Sequence, residues 1–307
     1  MQRDVTFHSR GVECAATLYL PDSGAGPYPT VVMGGGWCYV KEIVMPHYAA
    51  AFTDTGLTCL AFDYRTLGAS GGEPRQHIDP WEQIEDYRNA ISCAEKLDEV
   101  DESRLGAWGI SYSGGHVLIL AAIEPRLAFV VSNIPVVDGY VNMRRVHGER
   151  RFAELTRALL ADRRARFDDP DARGYLPMSA DDPDTTLSTW PFSTIKEVFS
   201  KIAETEAPRH VHESTTESTE LLLSYTVFPY LPRVTNLPVM MVVAEGDDIT
   251  LWDLEIDAFN RLPTPNKQLV VLPDTSHMTL YSSASHLEIA AERTSQWLAD
   301  VVAPATR

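Results

Sequence analysis

A tight chain reversal between residues 104 and 116 constrains this sequence more than any other feature. It reads Arg104-Leu105-Gly106-Ala107-Trp108-Gly109-Ile110-Ser111-Tyr112-Ser113-Gly114-Gly115-His116. Leu105 to Trp108 is short and apolar, as a buried strand is, and Val117 to Ile123 continues as an apolar run that a helix accommodates. The stretch from Gly109 to Gly115 must therefore turn the chain almost on the spot. A serine at the apex of such a strand-to-helix turn is held in a strained conformation with its hydroxyl facing outward. The positions two before and two after it must be small, because strand end and helix start nearly touch; Gly109 and Ser113 fill those slots. The same residues also fit a glycine-rich connection without chemistry, or a frame in which Ser113 is the apex. The second frame puts Ser111 where a glycine is wanted, so Ser111 is the candidate nucleophile.

With 307 residues and 44% hydrophobic content, the chain can bury a large core as one α/β domain or a domain with an insertion. The formal charge of −17 argues against a nucleic-acid surface, which needs basic stripes. No run approaches the ~18 apolar residues of a membrane span. The first residues lead into a strand and show no signal-peptide core, so a cytosolic protein without a membrane partner is expected. Cys14, Cys38, Cys59 and Cys93 have no paired spacing and sit in apolar segments, which predicts buried thiols in place of bridges or metal ligands.

Val5 to His8 and Val12 to Leu20 flank Arg10-Gly11 as an opening hairpin. Thr30 to Met33 is a buried-type strand running into Gly34-Gly35-Gly36-Trp37, and Leu57 to Phe62 is another, followed by Asp63-Tyr64-Arg65. Asp79-Pro80 has the form of a helix start, with Ile84, Tyr87, Ile91 and Ala94 at helical spacing behind it. Ala128 to Ser132, Val239 to Val243 and Gln268 to Leu272 supply further strands, and His286 to Val301 a closing amphipathic helix. Strands separated by helices predict an α/β fold with a mostly parallel central sheet and helices on both faces. Between 139 and 237 that rhythm breaks. This division predicts a core domain of 1–138 and 238–307, with 139–237 as a helical lid insertion over the active edge of the sheet.

A serine hydroxyl needs an imidazole to take its proton and a carboxylate to orient that imidazole. Asp247 and His277 each follow a late strand, the end of a parallel sheet where ligands bind. Asp248 is a rival acid, more readily read as a cap for a helix from Leu251 to Phe259, and Asp138 is a remoter one. Charge that develops on an attacked carbonyl oxygen needs preset donors; the backbone N–H groups of Tyr112 and Trp37 are the candidates for this oxyanion hole. Within the insertion, Trp190, Phe192, Tyr225 and Phe228 are candidate lining for an acyl pocket, or else insertion core. The arginines crowded between Arg144 and Arg166 are either a helix face paired with Glu and Asp or a site for an anionic substrate.

These residues together resemble the α/β-hydrolase superfamily, and within it the dienelactone-hydrolase-like and X-prolyl-peptidase/cocaine-esterase-like branches. Met33-Gly34-Gly35-Gly36-Trp37-Cys38-Tyr39-Val40-Lys41-Glu42 is similar to the oxyanion loop M-x-H-G-x-x-x-x-K-E, with Gly35 where a histidine is common. Asp63-Tyr64-Arg65 through Gly68, Ser70 and Gly72 is similar to D-x-R-x-x-G-x-S-x-G. The turn at Ser111 resembles the nucleophile elbow, with Ser113 in place of a glycine, and the order Ser111, Asp247, His277 is the family's order. The resemblance covers about 12–134 and 237–298 and leaves the insertion uncovered.

It implies a Ser-His-Asp hydrolase that cleaves an ester, lactone or thioester of a small-molecule acyl substrate through an acyl-enzyme, with no metal or cofactor required. An acyltransferase of the kind that releases polyketide products, or a carbon–carbon bond hydrolase, would use the same residues. A catalytically inactive binding module would lack one of the three. A homo-oligomer is left open.

Overall fold

In the computed structural model, which describes residues 1–303, the chain begins with β1 (Gln2–Ser9) and β2 (Val12–Tyr19). They pair antiparallel across Arg10 and Gly11, both at positive φ, which is the predicted hairpin. The alternating part follows as β3 (Tyr28–Gly34), α1 (Met45–Asp54), β4 (Thr58–Phe62), α2 (Pro80–Ala94), β5 (Val100–Ile110), α3 (Tyr112–Ile123) and β6 (Phe129–Asn133). Asp79 starts α2 as its sequence suggests, its carboxylate accepting from the Trp81 and Glu82 N–H groups with Pro80 in the first turn.

The segment after β6 holds α4 (Gly139–Asp168), β7 (Tyr175–Pro177), α5 (Ser193–Thr205), β8 (Glu213–Thr215) and α6 (Thr216–Leu223). Its longer elements are helices. The sequence reading missed the short antiparallel pair β7–β8, whose three-residue strands are too brief to show a period. Gly148, at φ 65°, breaks α4 into two helical stretches.

The sheet resumes with β9 (Val239–Ala244), α7 (Trp252–Arg261), β10 (Lys267–Leu272), the short α8 (Thr279–Ser282) and α9 (Ala284–Val301). Its eight strands lie in the order β1-β2-β4-β3-β5-β6-β9-β10, and every pairing from β4 to β10 is parallel. β4, β6 and β9 are buried at every residue, which requires cover on both faces. The covering helices pack on one another, α1 against α9 and α2 against α3. Their strand ends place the loops after β3, β5, β9 and β10 along one edge. Among the described residues, no helix is long and apolar enough to cross a membrane.

The loop after β4 is fastened from two sides. Asp63 accepts from the backbone N–H of Lys41 at 2.6 Å and of Ala69 at 2.8 Å, so it joins this loop to the one after β3. A side chain at position 68 would run into the Asp63 carboxylate, and Gly68 also needs its φ of 53°. Arg65 makes a buried pair with Asp86 of α2, at 2.9 Å through Nε and 2.6 Å through Nη2, while Asp86 also accepts from the Arg65 N–H. Breaking such a pair strands a buried charge. Asp86→Ala is therefore expected to destabilise the protein by about 3–5 kcal/mol, read as a shifted urea midpoint at unchanged m-value.

Candidate active site

β5, near the middle of the sheet, ends at Ile110, and α3 starts at Tyr112, so the chain turns on Ser111 alone. Ser111 has φ 57° and ψ −116°, a backbone region that a side chain normally avoids. The turn is held by its own backbone: Ser111 N–H donates to Asn133 O, and Val136 N–H donates to Ser111 O. A Cβ on Gly109 would lie 2.2 Å from the carbonyl oxygen of Ser113, which is the physical reason this slot takes only glycine.

Ser113 is fully buried and faces away from the apex. Its hydroxyl donates to the carbonyl of Gly35 and shares a 2.5 Å hydrogen bond with the Tyr64 hydroxyl. The serine that departs from the family pattern thus latches the glycine loop after β3 onto the elbow. That loop lies directly over the apex, since a Cβ on Gly36 would stand 3.0 Å from Ser111 Cβ and 3.3 Å from its Oγ. At Gly35, where relatives of this pattern commonly carry a histidine, a Cβ would fall 2.4 Å from the Tyr39 ring, so Tyr39 fills that space. Among the described residues, the backbone N–H groups of Trp37 and Tyr112 have no protein acceptor.

His277 and Asp247 meet from the loops after β10 and β9. His277 Nδ1 stands 2.8 Å from Asp247 Oδ2, and both side chains are buried. A carboxylate on Nδ1 assigns the proton there and leaves Nε2 as a lone-pair base. Asp247 also accepts from the N–H groups of Ile249 and Thr250, whereas Asp248 is exposed. Asp248 does not cap α7, which starts at Trp252 with no side-chain cap, and Asp138 instead caps α4 through Val141 N–H. Burial alone would raise the Asp247 carboxyl, but His277 and the hydrogen bonds of Thr250 outweigh it and hold it below its usual range.

Ser111 and His277 line one cavity of about 20 Å³. Their direct hydrogen bond is not made in this structure, a contact that in such sites tightens when substrate arrives. The rest of the lining is apolar and aromatic: Trp37, Tyr39, Trp190, Ile195, Phe199 and Tyr281 among it. Of the insertion aromatics, the structure brings Trp190 and Phe199 to the cavity that holds the serine. Phe192 precedes α5, Tyr225 is buried behind the elbow with its hydroxyl 3.0 Å from His116 Nδ1, and Phe228 lies under Arg261. Of the arginines between Arg144 and Arg166, six pair with carboxylates: Arg144 with Glu149, Arg145 with Asp253, Arg150 and Arg151 with Glu154, Arg163 with Glu220, and Arg166 with Asp162, Glu217 and Glu220, while Arg157 and Arg164 are exposed and make no salt bridge among the described residues. None of them lines the cavity that holds Ser111.

The sequence profile of the X-Pro dipeptidyl-peptidase (S15) family matches residues 10–279 of the chain. The protein belongs to this family. It is thus an enzyme of the α/β-hydrolase superfamily. The thiohydrolase aneE of Aspergillus aculeatus is 28% identical over 300 residues, covering 95% of this chain and 91% of the relative. The quorum-quenching protein AidA of Acinetobacter baumannii is 42% identical, but over 137 residues, 45% of either chain. The polyketide transferase grgF of a Penicillium species is 27% identical over 259 residues, 84% of this chain and 83% of the relative. The solved α/β hydrolase GrgF from Penicillium sp. superposes with a TM-score of 0.81 at 23% identity, covering 99% of this chain and all of the other, a likeness of fold.

Two features of this candidate site escaped the sequence. Behind Asp247, Thr250 Oγ1 lies 2.9 Å from Asp247 Oδ2 and 2.9 Å from Oε1 of the fully buried Glu255. One hydroxyl proton cannot serve two carboxylates. Burial first, and the Asp247 charge second, push the Glu255 carboxyl well above its usual range, which favours a protonated Glu255 as the donor to Thr250 and leaves the Thr250 proton for Asp247. Glu255→Gln keeps a neutral donor and is expected to preserve the folded protein and its pH–rate profile; Thr250→Val is expected to shift the acid limb of that profile upward, measured as kcat/KM against pH.

The second feature is a run of imidazoles under the glycine loop. His210 Nδ1 donates to the carbonyl of Cys38, which sits at φ 58°, and His210 Nε2 meets His212 Nδ1 at 3.1 Å. His212 Nε2 in turn meets Ser179 Oγ at 2.8 Å. Burial lowers His210 to about 4 and His212 to about 3, so both are neutral. A histidine whose pKa is lower in the fold than in the open chain binds fewer protons when folded. Its stability contribution is complete above the ordinary histidine range and falls away as the pH drops toward 4. Stability measured by urea is expected to decline across that window, and His210→Asn together with His212→Asn to flatten the decline.

Proposed function

We propose that this enzyme cleaves an ester, lactone or thioester through an acyl-enzyme at Ser111, with His277 as base and then acid and Asp247 as its orienting carboxylate. The observation that carries this reading is the shared cavity: Ser111 at a strained elbow faces the same hollow as a histidine whose Nδ1 is held by a buried carboxylate. Ser111 Oγ attacks the acyl carbon as its proton passes to His277 Nε2. The charge that develops on the carbonyl oxygen falls to the N–H groups of Trp37 and Tyr112, which lie beside the apex and hold no other acceptor. The alcohol or thiol leaves with the proton from His277. An incoming water or acceptor hydroxyl then gives His277 its proton, attacks the acyl carbon and restores Ser111. In this reading residues 1–138 and 238–307 are the hydrolase core, and 139–237 is the lid that closes the cavity through Trp190, Ile195 and Phe199.

The narrow, aromatic lining favours acyl transfer to a bound acceptor as the second reading, because apolar walls with little room for water protect an acyl-enzyme from hydrolysis. The relatives named thiohydrolase and polyketide transferase support both outcomes of that last step.

Hydrolysis of p-nitrophenyl esters and acyl thioesters, with and without an added alcohol, separates the two. Ser111→Ala is expected to lower kcat by about 10³-fold or more and abolish labelling by a fluorophosphonate, seen by intact mass. Ser113→Gly is expected to keep the label, with kcat reduced through a looser glycine loop. Full activity in Ser111→Ala would remove the serine from the mechanism.

A further inference from the structure

An acyl-enzyme at Ser111 must put its acyl chain somewhere, and a cavity of about 20 Å³ holds little more than a water molecule. A groove of about 720 Å³ runs between α1, α5 and α9, a volume that suits a drug-sized ligand. Val44, Ala50, Ala51, Val198, Ile202 and Leu287 give it an apolar floor. Groove and cavity share a wall. Tyr281 lines both, and α5 presents Phe199 to the cavity and its neighbours Val198 and Ile202 to the groove. The Tyr281 ring stacks on His277 with centroids 5.5 Å apart, yet its buried hydroxyl has no hydrogen-bond partner among the described residues. Nothing polar therefore fastens the side chain that stands between the two hollows.

The rim of the groove is acidic. Asp54, Glu197, Glu206, Glu288 and Glu292 face Lys201 and His47, and His47 lies 3.6 Å from Glu206. A chain ending in a carboxylate or phosphate would meet this rim with like charge.

We propose that this groove is the acyl-chain site of the Ser111 chemistry, opened to the cavity by rotation of Tyr281, and that it takes an extended apolar acyl chain whose far end is uncharged or carries an amine. The proposal rests on the acyl-enzyme reading above. It explains how a small catalytic cavity serves a long substrate: the scissile carbonyl sits at Ser111, and the chain passes the displaced Tyr281 ring onto the floor formed by α1, α5 and α9.

Two measurements test it. The first compares kcat/KM for p-nitrophenyl decanoate, acetate and the half-ester of decanedioic acid. Ala50→Trp and Ala284→Trp, both at exposed alanines of the groove, are expected to lower the decanoate-to-acetate ratio by roughly tenfold. Tyr281→Ala, which removes the wall, is expected to raise that ratio, and the carboxylate-ended half-ester is expected to be the poorest long substrate. Unchanged ratios in both tryptophan variants, or a preference for the half-ester, would overturn the proposal while leaving Ser111 as nucleophile.

The second measurement is calorimetric binding of decylamine and of decanoate to the Ser111→Ala protein. Decylamine is expected to bind and to lose roughly tenfold in affinity in the Ala50→Trp background, and decanoate to bind more weakly. Decylamine binding at the groove, together with a wild-type protein that cleaves none of the esters, would sink the acyl-enzyme reading and keep the site. A dimer in sedimentation that Ala50→Trp dissociates would assign the groove to a second copy of the chain and overturn the proposal.

Discussion

The close approach of β5 to α3 is the constraint on which the site depends. With the Ser113 carbonyl 2.2 Å from where a Gly109 side chain would begin, strand and helix can meet only if the residue between them takes a conformation that side chains avoid. Ser111 does so at φ 57° because the surroundings over-determine it: its N–H is tied to β6, its carbonyl to the next loop, and α3 is buried along its whole first half. The hydroxyl that results faces the small hollow that His277 also lines. The free N–H of Tyr112 is a consequence of the same turn, as the first donor of a helix that has no preceding turn to satisfy it.

The second element of the site, the glycine loop after β3, has no rigidity of its own and borrows it. Ser113, itself bonded to the Tyr64 hydroxyl, holds its Gly35 carbonyl, Asp63 holds the N–H of Lys41 further on, and His210 holds the carbonyl of Cys38. The first of these comes from the elbow, the second from the loop after β4 and the third from the insertion, so the loop registers the position of three separate parts of the fold. Because these ties go to backbone groups, they place the Trp37 N–H without calling on its side chain, which instead packs edge-on against Tyr112 and Trp190.

Burial decides the electrostatics more than the overall charge does. The chain carries a formal charge of −17, yet near Asp247 the deciding facts are that Glu255 is fully buried and that a single threonine hydroxyl lies between two carboxyls. Desolvation favours the neutral form of the one, and hydrogen bonds keep the other ionised to hold His277. The insertion arginines show the converse: a dense cationic run in sequence, but in space mostly a set of pairs with Glu and Asp, none of it lining the cavity.

The local features were legible in the sequence. The hairpin, the parallel strands, the Asp79-Pro80 helix start and the elbow each follow from short-range sterics and periodicity, and the order of Ser111, Asp247 and His277 placed all three at strand ends that parallel pairing then aligns. Tertiary structure alone decided the rest. Asp247 and its neighbour Asp248 are adjacent carboxylates, and it is the path of the loop into α7 that buries one against His277 and exposes the other, with Asp248 left out of the helix cap its sequence suggests. Ser113 looked like a mere substitute for glycine, because its partners, Gly35 and Tyr64, lie far away along the chain. Trp190 reaches the cavity while Phe192, Tyr225 and Phe228 do not, since which face of an irregular insertion looks inward is set by how it folds back onto the sheet. Side-chain type and spacing encode local geometry; the company each side chain keeps depends on contacts between distant segments, and those exist only once the sheet has formed.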